Sequence, residues 1–351
     1  RQRQMCIRDS STADLSILAH YALTNYVKNA TDQIRQEQPF LTFLKSKKKR
    51  MNAGPSESEN IIKDYGSNFA FGYGENTIAF NDRDPTVQNN WSWARATDAF
   101  KVSHDKLVAA GIDVREGSRG EFRTSDNEKA IISNFLADNV YALKEGFDKS
   151  LDLALHRDGT SSNDAVVGLD AIVSLKPTTG TVGGIDRAKA TYWRNYADTT
   201  LNAATMRAKM EKAWRSCIRH GGTPDFILAG GDFIDAYASS VTVTQNADAG
   251  AVKKIDVAVG EGMKTGLFYK GIEIVYDPTF DDLDALETTA STAWSKRCYF
   301  INSRHLFYKD NGIDIVRPTR PHNVLAFYEM IVWRGLLTSN RLNAHAVLGI
   351  A

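Results

Sequence analysis

The chain has 351 residues, 42% hydrophobic and 24% charged, which is typical of a globular protein with a sizeable core. Its 43 Lys and Arg residues against 42 Asp and Glu residues give a net charge of +1, which excludes a global field that would attract nucleic acid or an anionic membrane. Three scattered cysteines argue against a disulfide framework and a thiolate zinc site, and no stretch approaches the roughly 18 apolar residues of a membrane span. A reducing cytoplasm is therefore the expected compartment.

The N-terminal part predicts an extension, a helix and a linker. The first ten residues, RQRQMCIRDS, fit nothing that follows and are expected to be a non-native extension. Apolar residues then recur at helical spacing from Ser11 to about Gln38, which predicts an amphipathic helix ending before Pro39. Residues 45–60 mix basic residues with Gly, Pro and Ser, as a linker does. Their basic run is either a solvated cluster or a contact with nucleic acid: Lys47, Lys48, Lys49 and Arg50.

An aromatic ribbon is predicted next. Residues 61–80 alternate aromatic and small side chains, so that Phe69, Phe71 and Tyr73 share one face of a strand. A segment from Trp91 to Val102, which includes Trp93 and Phe100, is the predicted returning partner. Because a two-stranded ribbon is marginally stable alone in water, these aromatics must cover either the domain's own core or a neighbouring subunit.

The strongest predicted element is a long helix. Ser125 with Glu128 three residues later is a capping box, and one apolar stripe follows to about Arg157. At 1.5 Å per residue this helix is roughly 45 to 50 Å long. A short strand over residues 166–175 and a second helix over residues 201–220 follow. One side of that second helix carries Met206, Met210, Ala213, Trp214 and Cys217.

The C-terminal half mixes strands and helices without regular alternation, which predicts an α+β fold. A strand at residues 226–228, a turn at Gly230 and Gly231, and a helix carrying Phe233, Ile234 and Tyr237 come first. Two strand pairs follow: VTVTQ with LFYKGIEIVYD, and a pair within CYFINSRHLFYKDNGIDIVRP that turns at Asn311 and Gly312. Residues 326–350 form a long apolar strand pattern broken at Arg341.

Sequence motifs for chemistry are not found. Gly230 and Gly231 lack the G-x-G-x-x-G spacing of a dinucleotide loop, and Asp232 would repel phosphate. Residues 260–265, GEGMKT, lack the glycine before lysine of a P-loop because Met263 stands there. The Gly-Gly pair is interpreted as a turn.

Metal and nucleophile motifs are also not found. The seven histidines show no i, i+4 ligand arrangement, and the acidic run at residues 277–287 is interpreted as a solvated loop. No serine lies in a G-x-S-x-G elbow, although a triad assembled from distant residues stays open. The prediction is therefore no catalytic, cofactor-binding or metal-binding residues.

The order of these parts resembles the major capsid protein of tailed bacteriophages, the Hong Kong 97 fold, over residues 11–351. That order is a helical arm, a basic linker, an aromatic ribbon, one very long helix, a mixed α+β region and a terminal strand set. Local sequences agree with the resemblance in the same order: VVGLDAIVS (166–174), YWRN (192–195), PDFILAGGDFIDAY (224–237), GIEIVYDP (271–278), CYFINSRHLFY (298–308) and WRGLLTSNRLNAHAVLGI (333–350).

The resemblance implies a division of the chain. The implied parts are an N-arm (11–53), an E-loop with its flanks (54–122), a P-domain with the spine helix (123–164 and 291–343) and an A-domain (165–290 and 344–351). The Gly-Gly turn would then lie in the A-domain and serve packing. The implied intersubunit contacts are made by Phe69, Phe71, Tyr73, Phe80, Trp91 and Trp93.

The resemblance also implies a function. The implied protein is a structural coat protein, not an enzyme, which would assemble into hexamers and pentamers of an icosahedral shell around phage double-stranded DNA. The expected location is the virion, with assembly in the host bacterial cytoplasm. Scaffolding, portal and decoration proteins are further implied partners, and the basic run at residues 47–50 would meet DNA without sequence preference.

Two alternatives stay open at this stage. An encapsulin-type compartment has the same fold but holds a cargo enzyme, so nucleic acid in purified particles distinguishes the two. An unrecognised enzyme would be a monomer or small oligomer with a pocket of convergent polar groups.

Overall fold

A computed structural model describes residues 34–50, 54–69, 71, 82–103, 105, 126–240, 264–288, 292–316 and 326–351, and structural statements refer to these. The chain divides into two compact units, which are described separately. The first comprises residues 1–35, 97–150 and 313–333, and the second comprises residues 36–96, 151–312 and 334–351.

Six α-helices lie in the described ranges. They are α1 (Pro39–Ser46), α2 (Asp126–His156), α3 (Leu169–Ile172), α4 (Met206–Arg219), α5 (Gly231–Ser240) and α6 (Thr279–Leu286). The strands are β1 (Lys49–Arg50), β2 (Ser56–Ile62), β3 (Thr86–Ser92), β4 (Ala94–Ser103), β5 (Thr181–Val182), β6 (Ile185–Asp186), β7 (Tyr196–Leu201), β8 (Phe226–Ala229), β9 (Lys264–Tyr269), β10 (Ile272–Tyr276), β11 (Arg297–Ile301), β12 (Leu306–Val316), β13 (Ala326–Ser339) and β14 (Ala346–Ile350). The predicted α+β class is confirmed.

The second unit is built around a six-stranded mixed sheet in the order β7-β14-β11-β8-β10-β9. β8 pairs with β10 and β14 with β7 in parallel, and the other neighbours are antiparallel. Residues of β8 and β11 are buried throughout, as expected of central strands covered on both faces. The core of this unit also contains the predicted apolar side of α4, which is confirmed: Met206, Met210, Ala213, Trp214 and Cys217.

The long helix is confirmed. α2 has 31 residues, which at 1.5 Å per residue is roughly 46 Å. Leu143 and Phe147 are buried in the first unit, and Leu151 and Leu155 are buried in the second, at the three- and four-residue steps of one stripe. Ser125 of the capping pair lies outside the described residues, whereas Glu128 lies in the first turn of α2. Most of the N-terminal helix predicted over residues 11–38 also lies outside them, and residues 35–38 are not helical.

Pro39 begins a helix, although in the sequence it was interpreted only as the residue before which a helix ends. Proline is well tolerated at the first helical position because its missing N–H would have no intrahelical partner there. Phe40, Leu41, Phe43 and Leu44 of α1 are each at most 2% exposed. Residues 45–60 were predicted to be a linker, and this was wrong at both ends of the range. The end of α1 and β1 lie in its first part, and β2 begins in its last part.

The strand predicted over residues 166–175 was wrong, because α3 lies there. A short apolar run does not distinguish a strand from a buried helical turn. Gly168 precedes α3 in close contact with the end of α2, where a Cβ would lie 2.5 Å from the Leu155 carbonyl oxygen. This close approach places the one-turn helix against the backbone of the longer one.

Two predicted turns are corrected. Asn311 and Gly312 do not form a hairpin, because β12 continues through them with Gly312 at a φ of 92°. The hairpin lies instead between β9 and β10, where Lys270 and Gly271 have φ of 52° and 82°. VTVTQ lies outside the described residues, so its pairing stays a prediction. Residues 326–350 are confirmed as two strands, β13 and β14, interrupted near Arg341.

Candidate intersubunit surface

A ribbon is present in the second unit, but its strands were predicted wrongly. Residues 63–69 and 71, part of the strand predicted over residues 61–80, are not in a strand, so Phe69 and Phe71 do not share a strand face. β2 and β3 are antiparallel and in register from Ser56 opposite Ser92 to Ile62 opposite Thr86. The Lys63 amide donates to the Pro85 carbonyl oxygen at 2.8 Å, which extends the pairing one step further. The return strand was predicted over residues 91–102, but the strand that pairs with β2 is β3, which ends at Ser92. The following strand, β4, belongs to the four-stranded sheet β1-β12-β13-β4.

Beyond the paired part, the chain carries large apolar side chains in water. Phe69 is 78% exposed and Phe71 is 93% exposed, with their rings in edge contact at 4.9 Å. Ile62, the last paired residue of β2, is 60% exposed, and Tyr65 is 82% exposed. These four residues are called the tip patch. Tyr73 and Phe80 lie outside the described residues. Clustered exposed apolar side chains usually mark an interaction site.

Trp91 belongs to the base of the ribbon and is buried in its own chain. It is 2% exposed, and its ring packs against Gly183 in the β5–β6 turn. The neighbouring Asn90 amide donates to the Gly183 carbonyl oxygen at 2.8 Å. Trp93 is partly exposed, and its indole donates to the Gly54 carbonyl oxygen at 3.1 Å. Because Trp91 is covered within the protomer, its ring is not available to a neighbouring subunit.

An ion pair fixes the base of the ribbon. Glu57 of β2 bonds to the Lys309 ammonium of β12, and their side chains are 10% and 9% exposed. Such a nearly buried pair depends on both partners, because removing one leaves the other charge without compensation. The ribbon is therefore held at its base while its tip patch faces solvent.

Replacing Glu57 with Gln is expected to lower the free energy of unfolding by about 3 kcal/mol, because the Lys309 charge stays nearly buried without its partner. The matched control is Lys63→Gln, which removes the exposed Lys63–Asp84 pair of 2.6 Å. That exposed pair is expected to contribute less than about 0.5 kcal/mol. Equal losses in denaturant titrations of the two variants would contradict the anchoring role of Glu57.

The basic run is exposed but partly engaged within the chain. Lys48 binds Asp310 at 2.5 Å, and the Lys49 ammonium lies 3.8 Å above the Phe307 ring. Lys49 and Arg50 form β1, which pairs in parallel with β12. Lys47 and Arg50 carry the more available charges of the four predicted residues.

The Gly230–Gly231 pair is a packing turn between β8 and α5. A Cβ on Gly230 would lie 2.5 Å from the Ser295 Cα, whereas one on Gly231 would meet only Tyr276 at an ordinary 3.7 Å. Asp232 accepts a bond from the Ser295 hydroxyl at 3.0 Å. The structure therefore agrees with the predicted packing role, which belongs to Gly230 because only this glycine closely approaches another backbone segment.

A buried polar cluster was missed by the sequence analysis. Asp152 and His156 are four residues apart on α2, an i, i+4 arrangement that was overlooked. Asp277 was interpreted as part of a solvated loop, but it is fully buried and precedes helix α6. His156 Nε2 lies 2.9 Å from Asp277 Oδ2. Within the described residues this is the one group with the composition of a metal site.

A groove of about 650 Å³ lies beside β2. Some of its polar side chains are engaged within the chain. The Arg341 guanidinium donates to the His220 carbonyl oxygen at 2.7 Å, and His305 Nδ1 lies 2.9 Å from Asn340 Oδ1. No nucleophile bonded to a general base lines it among the described residues. None of the helices in the described ranges combines the length and hydropathy that a bilayer crossing requires.

No known protein family's sequence profile matches the chain, and no curated protein is significantly similar to it in sequence. Solved structures do match over nearly the full length of both chains. The capsid asymmetric unit of cyanophage A-1(L) has a TM-score of 0.64 at 16% identity, covering 93% of this chain and 96% of that one. The capsid of Myoviridae phage XM1 has a TM-score of 0.55 at 12% identity, with 94% and 97% covered.

The capsid of a native gene transfer agent (GTA) particle is a further match, with a TM-score of 0.51 at 13% identity and coverage of 94% and 96%. Identities this low establish a shared fold and nothing finer. They agree with the fold that the order of sequence elements implied. The chain has the fold of phage capsid proteins.

Proposed function

We propose that this protein is the structural subunit of a closed capsid shell, assembled from hexamers and pentamers of identical chains. The observation that carries the proposal is that the similarity to capsid structures spans at least 93% of this chain and 96% of the capsid chains compared. A similarity confined to one domain would leave the rest of the chain for another role. Here the similarity extends over nearly the whole length of both chains.

The tip patch supports the proposal physically. Phe69 and Phe71 are more than three-quarters exposed, and burying a Phe side chain contributes roughly 1.5–3 kcal/mol. A ribbon anchored at its base reaches a surface on a second copy, and repeated head-to-tail contacts of this kind close into rings. Trp91 is left out of the proposed contact because it is covered within its own chain.

The finer assignments are part of the same proposal. The N-arm, E-loop, P-domain and A-domain keep the ranges given in the sequence analysis. Packaged double-stranded DNA is the proposed content, met without sequence preference by Lys47 and Arg50. No catalytic role is proposed, and the proposed location is the virion. The compared structures come from phage and GTA capsids, which favours this function over an encapsulin-type compartment.

Electron microscopy of the expressed full-length chain tests the proposal. We expect closed shells in which each wall subunit matches the 38.9 kDa chain, and sedimentation far faster than that of one chain. Particles filled with a cargo enzyme and free of DNA in infected cells would favour the encapsulin-type alternative. A monomer at every concentration tested would contradict a shell.

A further inference from the structure

The buried His156 ring has an acceptor at each nitrogen. Nδ1 lies 2.8 Å from the backbone carbonyl oxygen of Asp152, and Nε2 lies 2.9 Å from Asp277 Oδ2. A carbonyl oxygen and a carboxylate accept hydrogen bonds and do not donate them. A neutral imidazole carries one N–H and would leave one of these contacts without a hydrogen. With Asp277 as an ionised carboxylate, both contacts are hydrogen bonds at once only if the ring is the doubly protonated imidazolium.

The surroundings of the ring are suited to a buried cation. Two carboxylates face it: Asp277, and Asp152, whose Oδ2 lies 3.7 Å from Nδ1. The rings of Phe40 and Phe280 lie 4.8 and 5.3 Å away. Thus α2 and the segment before α6 supply the charged neighbours, and α1 and α6 supply uncharged aromatic rings. Aromatic neighbours exclude water and tolerate a cation.

Thr279 orients both carboxylates. Its hydroxyl donates to Asp152 Oδ2 at 2.7 Å, and its amide donates to Asp277 Oδ1 at 3.0 Å. A metal ion would need a free lone pair on a ring nitrogen, but both nitrogens are directed at protein acceptors. The geometry therefore favours a proton over a metal ion as the positive charge of this cluster.

We propose that His156 is a buried counter-ion, protonated at neutral pH, that clasps α1, the end of α2 and the start of α6 together, and that its deprotonation in alkaline solution opens this clasp. Loss of the proton leaves two carboxylates facing each other in an apolar site with no positive charge between them. The proposal does not depend on shell assembly.

The electrostatics agree with this geometry. Burial alone would lower the pKa of His156, but Asp152 and Asp277 outweigh it and raise the pKa to about 9. Burial raises the pKa of Asp152 to about 6, against the charge of His156. A folded-state pKa above the ordinary 6.5 of His means that the stabilisation is complete below pH 6.5 and is lost as the pH rises to 9.

The direct test is nitrogen NMR of the full chain labelled with 15N-histidine, with magic-angle spinning if the chain is assembled. We expect one histidine to keep two N–H signals up to about pH 9, and His156→Gln to remove that signal. Asp277→Asn is a second variant, expected to lower the titration midpoint of the same signal. Titration of His156 at or below about pH 6.5 would overturn the proposal.

Equilibrium unfolding supplies an independent readout. Between pH 6.5 and 9 the unfolding constant of the wild type is expected to rise on the order of 100-fold, and that of His156→Gln to change far less. His220→Gln replaces an exposed histidine and is expected to keep the wild-type dependence. If Zn²⁺ added at pH 7 shifts the His156 ring signals, the cluster is a metal site and the clasp is wrong.

Discussion

A chain in which residues 64–84 are replaced by Asn-Gly is expected to fold but to form no closed shell. The replacement joins Lys63 to Pro85, which are already hydrogen-bonded, through the two-residue turn that best suits a hairpin. The buried base, with Trp91 and the Glu57–Lys309 pair, is unchanged. Most of the tip patch is removed, so copies lose their contact with one another. Electron microscopy and sedimentation measure the assembly, and circular dichroism measures the fold.

A finer variant separates the aromatic rings from the length of the ribbon. Phe69→Ser with Phe71→Ser is expected to prevent assembly in the same way, because the lost contact is apolar burial. Leu286→Ser is the control, because it removes an exposed apolar side chain that lies outside the tip patch. Leu286 is 60% exposed at the end of α6. Shells of normal size from the double variant, or loss of shells from the control alone, would contradict the role of the tip patch.

Gly230→Ala is expected to lower the free energy of unfolding by at least about 3 kcal/mol, at the upper end of the cost of overpacking. The added methyl would lie 2.5 and 2.6 Å from the Ser295 Cα and carbonyl carbon, and a backbone cannot rotate away as a side chain can. Ser295 also holds Asp232 in the first turn of α5. The turn between β8 and α5 would therefore shift, and with it the centre of the six-stranded sheet.

Gly231→Ala is the matched control for this substitution. Its methyl would meet only Tyr276 Cε2 at 3.7 Å, and alanine favours the helix that begins there. We expect a change within about 0.5 kcal/mol in either direction. Similar denaturant midpoints for both variants would mean that the close approach at Ser295 relaxes freely and that the packing role of Gly230 is wrong.

Local periodicity was sufficient to predict several elements and the fold class. The α2 stripe and the buried side of α4 repeat every three or four residues, and this pattern persists because one helical face meets a core. The order of elements then implied the capsid fold, which the structural matches support. Short elements such as α3 and the acidic segment of α6 were predicted wrongly, because a few residues carry too little periodicity.

The contact role of the predicted aromatic residues stays a prediction. Their alternation indicated a ribbon in this part of the chain, but Phe69 and Phe71 lie beyond its strands, where they are exposed. The same pattern does not distinguish Trp91, whose burial depends on a glycine turn some 90 residues later in the chain. Likewise, the sequence around Lys48 does not distinguish it from a solvated lysine, because its partner Asp310 lies in β12, far away along the chain.

Local order, by itself, determined the long helix α2, the buried side of α4 and the α+β class, because those depend on neighbours a few residues apart. Only the tertiary structure decided which of the aromatic side chains remain in water and which charges are neutralised within the protomer. His156 shows the reason. Its bond to Asp277 joins positions 121 residues apart, and a pattern of neighbouring residues does not predict a contact over that separation.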